Sequence, residues 1–183
     1  MHSQQMDFCN RMRAKYSMYF QNANVLDIGS VDINGNNRYL FNMDSCSYKG
    51  VDIAEGPNVD IVCPTHLLNA QNRFYDFIIS TECFEHDPYW KDSVKNILRM
   101  LKRNGVFLFT CASDPRPEHG TERSDGHFSA PFLKYLNNEW ENYYKNLSEA
   151  DFTSLDGFTD AFQFYEFEYN PNPGDLYFFG VRK

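Results

Sequence analysis

Five short apolar runs in the first two thirds of the chain constrain its fold more than any other feature. They are Val25-Leu26-Asp27-Ile28, Tyr48-Lys49-Gly50-Val51-Asp52-Ile53, Val59-Asp60-Ile61-Val62, Tyr75-Asp76-Phe77-Ile78-Ile79-Ser80 and Val106-Phe107-Leu108-Phe109-Thr110. Each is too short for a stable helix and too continuously apolar for a strand with one wet face. Such runs read as strands covered on both sides. Helical patterns lie before and between them. Residues 4–21 place Met12, Tyr16, Tyr19 and Phe20 on one face, and Val94, Ile97, Leu98 and Leu101 do the same after the fourth run. Strands of this kind alternating with helices predict an α/β fold, with a mostly parallel central sheet and helices on both faces.

Local signals mark the boundaries. Asp87 is expected to cap the second helix, with Pro88 in its first position, Lys102 and Arg103 in its last turn, and Asn104-Gly105 stopping it. Only five residues, Ala54 to Asn58, join the second and third runs, too few for a helical crossover, so a short or irregular third strand is expected. The C-terminal runs 162–169 and 176–181 flank a Pro/Gly loop and read as an antiparallel hairpin. A length of 183 residues fits one domain. It divides into an N-terminal helix (1–22), a ligand-binding core (23–111), a polar loop (112–131), and a helix with the terminal hairpin (132–183).

Composition narrows the partners. The 17 Lys+Arg against 25 Asp+Glu give a formal charge of −8, which counts against nucleic acid and anionic membranes. No apolar run is long enough to span a membrane, and the first 20 residues have no signal-peptide pattern. The five cysteines (Cys9, Cys46, Cys63, Cys83 and Cys111) form no C-x-x-C pair and read as thiols in a reducing compartment. A soluble cytoplasmic protein is expected; the oligomeric state is not readable.

Two residues point to a ligand. Gly29 ends the first strand, where a glycine lets a ligand approach the backbone. Asp52 ends the second, where a carboxylate can accept both hydroxyls of an adenosine ribose. With these positions fixed, the sequence resembles the class I S-adenosylmethionine-dependent methyltransferases, a Rossmann-like fold. Val25–Ser30 is similar to the family's first motif, Lys49–Ile53 to its second, and Asp76–His86 to its fourth-strand motif. Leu101-Lys102-Arg103-Asn104-Gly105-Val106 is similar to its turn before the fifth strand. Two departures stand out. Val31 replaces a usual glycine, with Gly35 following later in a Gly-Ser…Asn-Gly form, and Cys63-Pro64-Thr65 occupies a position that is often acidic.

The resemblance implies S-adenosylmethionine as cofactor, with Asp27, Gly29, Ser30, Gly35, Asp52, Ile53, Thr65, Ser80 and Glu82 as its binding residues. A small-molecule or sugar-type acceptor methylated at a hydroxyl is expected. A hydroxyl acceptor calls for a general base, most often histidine. His86 opens the segment beyond the fourth strand, and His119 and His127 lie in the polar loop after the fifth, so these three are the candidates. His2 is expected to be solvated and His66 to lie toward the adenine. No metal is expected. Trp140, Tyr143 and Tyr144, at helical spacing, read as packing residues. Two other readings stay open: a binding protein that has lost the chemistry, and a NAD-dependent oxidoreductase, although the Gly29 loop lacks the G-x-G-x-x-G triplet that serves a pyrophosphate.

Overall fold

The computed structural model describes residues 2–125 and 138–183. Seven strands form one sheet: β1 (Asn24–Ile28), β2 (Ser47–Asp52), β3 (Ile61–Val62), β4 (Tyr75–Thr81), β5 (Leu101–Ala112), β6 (Phe162–Asn170) and β7 (Asp175–Arg182). Their spatial order is β3-β2-β1-β4-β5-β7-β6. The pairs among β1 to β5 are parallel, whereas β7 runs antiparallel to both β5 and β6. The helices are α1 (Ser3–Lys15), α2 (Trp90–Met100) and three short ones, α3 (Glu122–Asp125), α4 (Asn138–Glu141) and α5 (Glu149–Thr153).

Side chains alternate across the sheet, and each face has its own core. Leu26, Ile28, Ile78, Phe107, Phe109 and Phe178 pack on the face covered by α2, which contributes Trp90, Val94, Ile97 and Met100. Val25, Phe77, Ile79, Leu108, Tyr177 and Phe179 pack on the face covered by α1, through Phe8, Cys9 and Met12. The α2 core is largely aromatic. Phe109 stacks on Phe178 at 5.0 Å between ring centres and lies 4.4 Å from Phe152. The α/β fold with a Rossmann-like sheet, helices on both faces and a terminal antiparallel hairpin is therefore as the sequence reads.

Three local expectations need correction. The first helix stops at Lys15, and residues 17–20 form a 3-10 turn instead. There Tyr16 stacks on Phe179 of β7 at 4.4 Å, a tertiary contact that takes over from the helical pattern. The second helix starts at Trp90 rather than Pro88. Asp87 precedes it, accepting Tyr89 N–H at 2.8 Å and the Ser93 hydroxyl at 2.5 Å. That helix ends at Met100, and Lys102 and Arg103 already belong to β5. Leu101 is buried either way, so the apolar spacing could not separate a last helical turn from a first strand residue; pairing with Tyr75 decides it. Between β2 and β3 there is no helix, and β3 has two residues, as the short connection predicts.

Candidate active site

The strand order reverses between β1 and β4. In an open α/β sheet a crevice forms at the carboxyl ends of the strands at such a point. Here it is a cavity of about 390 Å³, within the usual range of small-molecule sites.

One half is built from the ends of β1 and β2. Gly29 turns the chain at φ +71°, and a side chain there would meet Cys83 Sγ at 2.6 Å, so both conformation and space demand glycine. The next residues are pinned as a loop. Gly29 and Ser30 N–H donate to Val51 O, Ser30 Oγ donates to Asn58 O, and Gly35 N–H donates to Asp32 Oδ1. Asp52 accepts Val31 N–H at 2.9 Å on one oxygen and Ile53 N–H at 2.7 Å on the other. Burial raises the Asp52 pKa, and these amides oppose the rise. Beneath them, Asp27 accepts the Tyr48 hydroxyl at 2.5 Å and Asn37 Nδ2 at 3.1 Å. Burial pushes Asp27 up to about 6 against those hydrogen bonds.

These residues suit S-adenosylmethionine. A carboxylate offers about four acceptor positions, so Asp52 keeps capacity for ribose hydroxyls after its two amides. Asn37 uses Nδ2 on Asp27 and Thr81, leaving its buried Oδ1 without a hydrogen-bond partner among the described residues, in the wall of the cavity. An orphaned acceptor beside a buried carboxylate fits a ligand carrying ammonium and sulfonium charge. Ile53 and Thr65 also line this half.

The other half is formed by His2, Glu82, Arg116, His86, His119, Gly120 and Trp140. Glu82 follows β4 with a left-handed backbone (φ +54°), a costly conformation for a side chain with a Cβ. It accepts the Thr110 hydroxyl at 2.9 Å and pairs with Arg116. Arg116 also reaches Asp175 Oδ1 at 2.5 Å, and His2 Nε2 lies 3.1 Å from Asp175 Oδ2 and 3.4 Å from Glu82. Burial alone would raise the Glu82 pKa; His2 and Arg116 hold it down to about 2. Glu85 is buried behind them, and burial with the neighbouring Glu82 charge pushes its pKa well up. The His86 and His119 rings meet edge to face at 5.2 Å, and Tyr144 packs against both.

The structure thus gathers Asp27, Gly29, Ser30, Gly35, Asp52, Ile53, Thr65, His86 and His119 around one cavity. Ser80 is not among them; it is fully buried and donates to Ile28 O. Glu82 lines the cavity but belongs to the ionic network across from the Asp52 loop. His127 lies outside the described residues. His66 stacks on Tyr89 at 4.2 Å, beside Thr65 and next to Trp140.

One expectation is overturned: His2 is not solvated but locked between two carboxylates. Trp140 packs as expected, buried against His66 and Tyr89, and it also lines the cavity. Trp140 alone of its aromatic cluster lies in α4, because that helix ends at Glu141. His2, Arg116 and Asp175 have no common local pattern that would have grouped them. For Trp140, the only sequence signal was an aromatic surplus.

The fold and cavity are those of a Rossmann-like α/β domain with a small-molecule site at its strand switch point. A family profile for a methyltransferase domain matches residues 1–168, and the chain belongs to that family. It is an S-adenosylmethionine-dependent methyltransferase of class I. No curated protein matches it in sequence. Among solved structures it is similar to the Burkholderia thailandensis 1,6-didemethyltoxoflavin-N1-methyltransferase with bound 1,6-didemethyltoxoflavin and S-adenosylhomocysteine. That match has a TM-score of 0.63 at 16% identity and covers 98% of this chain and 78% of that one. An S-adenosylmethionine-dependent methyltransferase from Archaeoglobus fulgidus gives 0.61 at 16%, covering 97% and 94%. The Haemonchus contortus phosphoethanolamine N-methyltransferase 2, in complex with phosphomonomethylethanolamine and S-adenosylhomocysteine, gives 0.65 at 16%, covering 96% and 52%. No helix among the described residues is long and apolar enough to cross a membrane.

Proposed function

We propose that this enzyme methylates a hydroxyl of a small, sugar-type acceptor. One observation carries the reading: a single small cavity joins the Asp27/Asp52 half to an edge bearing His86 and His119. Asp27, Gly29, Ser30, Gly35, Asp52, Ile53 and Thr65 hold the cofactor in this reading; Ser80 and Glu82 take no part. When bound, S-adenosylmethionine supplies an activated methyl group with a neutral thioether as leaving group, so the chain's own task is positioning. The cavity would hold an acceptor oxygen in line with that methyl group, so that transfer to the oxygen would leave the electron pair on the departing thioether. The hydroxyl proton leaves toward the His86–His119 edge. His119 suits that edge: its Nδ1 lies 3.1 Å from Pro117 O, which only accepts, so the proton sits on Nδ1 and Nε2 is the basic atom. A net charge of −8 and the small cavity favour a small molecule over a phosphate polymer. The cysteines are free thiols, as in a reducing compartment such as the cytoplasm.

The test is release of S-adenosylhomocysteine with panels of hydroxyl, amine and carbon acceptors. Turnover is expected with hydroxyl compounds, lowered about 100-fold in His119→Ala. Transfer confined to amines or carbon overturns this reading.

A further inference from the structure

Two clusters of metal-ligating side chains adjoin the His86–His119 half of the cavity. His2, Glu82, His86 and His119 line it, Glu85 and Asp175 are buried outside its lining, and the clusters differ in one decisive respect. In the first, His2, Glu82 and Asp175 bring one ligand atom each within 4.8 Å of the others. A cation is already there, because Arg116 pairs with both carboxylates, and Thr110 and Tyr177 donate to them as well. In the second, Glu85, His86 and His119 converge just as closely. Here the carboxylate is not accounted for. Glu85 is fully buried; its Oε1 accepts Ala112 N–H at 3.2 Å, and its buried Oε2 has no hydrogen-bond partner among the described residues. An orphaned carboxyl oxygen in the interior is expensive.

The backbone builds this convergence. A 3-10 turn, Phe84–His86, places Glu85 and His86 side by side. Gly120 then lets the loop after β5 close over the His86 ring: a Cβ at Gly120 would sit 2.7 Å from His86 Cε1. That approach brings His119 alongside. The carbonyl of Pro117 fixes the His119 tautomer with Nε2 basic, the kind of outer contact that orients metal-binding imidazoles.

We propose that Glu85, His86 and His119 bind a divalent first-row transition-metal cation facing the acceptor. Two imidazole nitrogens and one carboxylate oxygen suit such ions and leave coordination positions open. An acceptor hydroxyl at an open position would be polarised and would lose its proton to solvent; with the cation bound, His119 would serve as a ligand in place of the base role above. That catalytic use rests on the hydroxyl reading above; binding of the cation does not.

The experiment titrates Co²⁺ into the full chain after chelation, followed by calorimetry and by visible absorption of the bound ion. One site is expected, weakened at least ~10-fold in His119→Ala and in Glu85→Gln, and unchanged in His2→Gln. His119 lies on a loop, so its variant keeps the test valid if Glu85→Gln fails to fold. No binding at millimolar Co²⁺ by the folded chain overturns the proposal. So does equal binding by His119→Ala, or loss confined to His2→Gln. Methyl transfer is measured on the same samples. Co²⁺ binding without transfer to any hydroxyl supports the metal site and overturns the hydroxyl reading. Full hydroxyl transfer by chelated, non-binding protein does the reverse.

Discussion

His2 Nε2 lies 3.1 Å from Asp175 Oδ2, tying the residue before α1 to the first residue of β7. Burial pulls the His2 pKa down, but hydrogen bonds to Asp175 and Glu82, with their charges, outweigh it and carry the pKa up to about 9. Nδ1 lies 3.2 Å from Gln4 Oε1, an acceptor that suits an imidazolium, and 3.5 Å from the Gln5 N–H, a longer contact that opposes it. The Arg116 guanidinium, 3.4 Å from Nε2, opposes the charge and is outweighed by the two carboxylates.

A pH dependence of stability follows. A group whose pKa is raised on folding stabilises the protein fully below its unfolded value, near 6.5 for histidine, and loses that contribution as pH rises through the folded value. Wild type should exceed His2→Gln by about 2–3 kcal/mol at pH 6, with the gap closing by pH 10. Urea unfolding at the two pH values checks this; a gap independent of pH would show that His2 is neutral.

Asp27 gives the opposite sign for ligand binding. Burial holds its pKa near 6, so it is protonated at pH 5 and charged above pH 7. A cationic ligand favours the charged form. S-adenosylmethionine should bind about tenfold more weakly at pH 5 than at pH 7.5, and Asp27→Asn should flatten that dependence. Calorimetry at both values measures it, and identical pH profiles for the two proteins would remove Asp27 from cofactor recognition.

Asp52→Ala should cost cofactor affinity twice over. In the proposed binding mode it removes the ribose partner, and it frees the N–H groups of Val31 and Ile53 that shape the loop. The expected loss in S-adenosylhomocysteine binding is about 1–3 kcal/mol, read by titration calorimetry. Undiminished binding by a normally folded variant would mean that the ribose lies elsewhere.

Phe109 is the hub of the α2-side core. It touches the rings of Phe84, Phe107, Phe152, Phe167 and Phe178. Phe109→Ala should lower stability by about 3–5 kcal/mol, because so many ring contacts are lost around a cavity that cannot fully collapse. A loss under about 1 kcal/mol in denaturant unfolding would show that the site repacks.

What the sequence determined is what adjacent residues can express. Strands covered on both faces must be apolar at consecutive positions, so the runs containing Val25, Val51, Phe77 and Phe107 were legible, and their order implied a parallel sheet. Gly29 and Asp52 were legible because each terminates such a run. The missing β2–β3 crossover was legible because chain length limits what a connection can do. Leu101 shows the limit of the method: an apolar residue satisfies a helix face and a strand face equally, and only its neighbour in space, Tyr75, chose between them. The tertiary structure alone decided the ionic network beside His86 and His119. His2, Glu82, Arg116 and Asp175 come from the start of the chain, the residue after β4, the loop after β5 and the start of β7, and nothing in any local pattern links them. They meet because β7 inserts beside β5 and α1 packs across the adjoining face. Only then do burial and opposite charges make a network of Glu82, His2 and Arg116, and leave Glu85 with an oxygen still to be satisfied among the described residues.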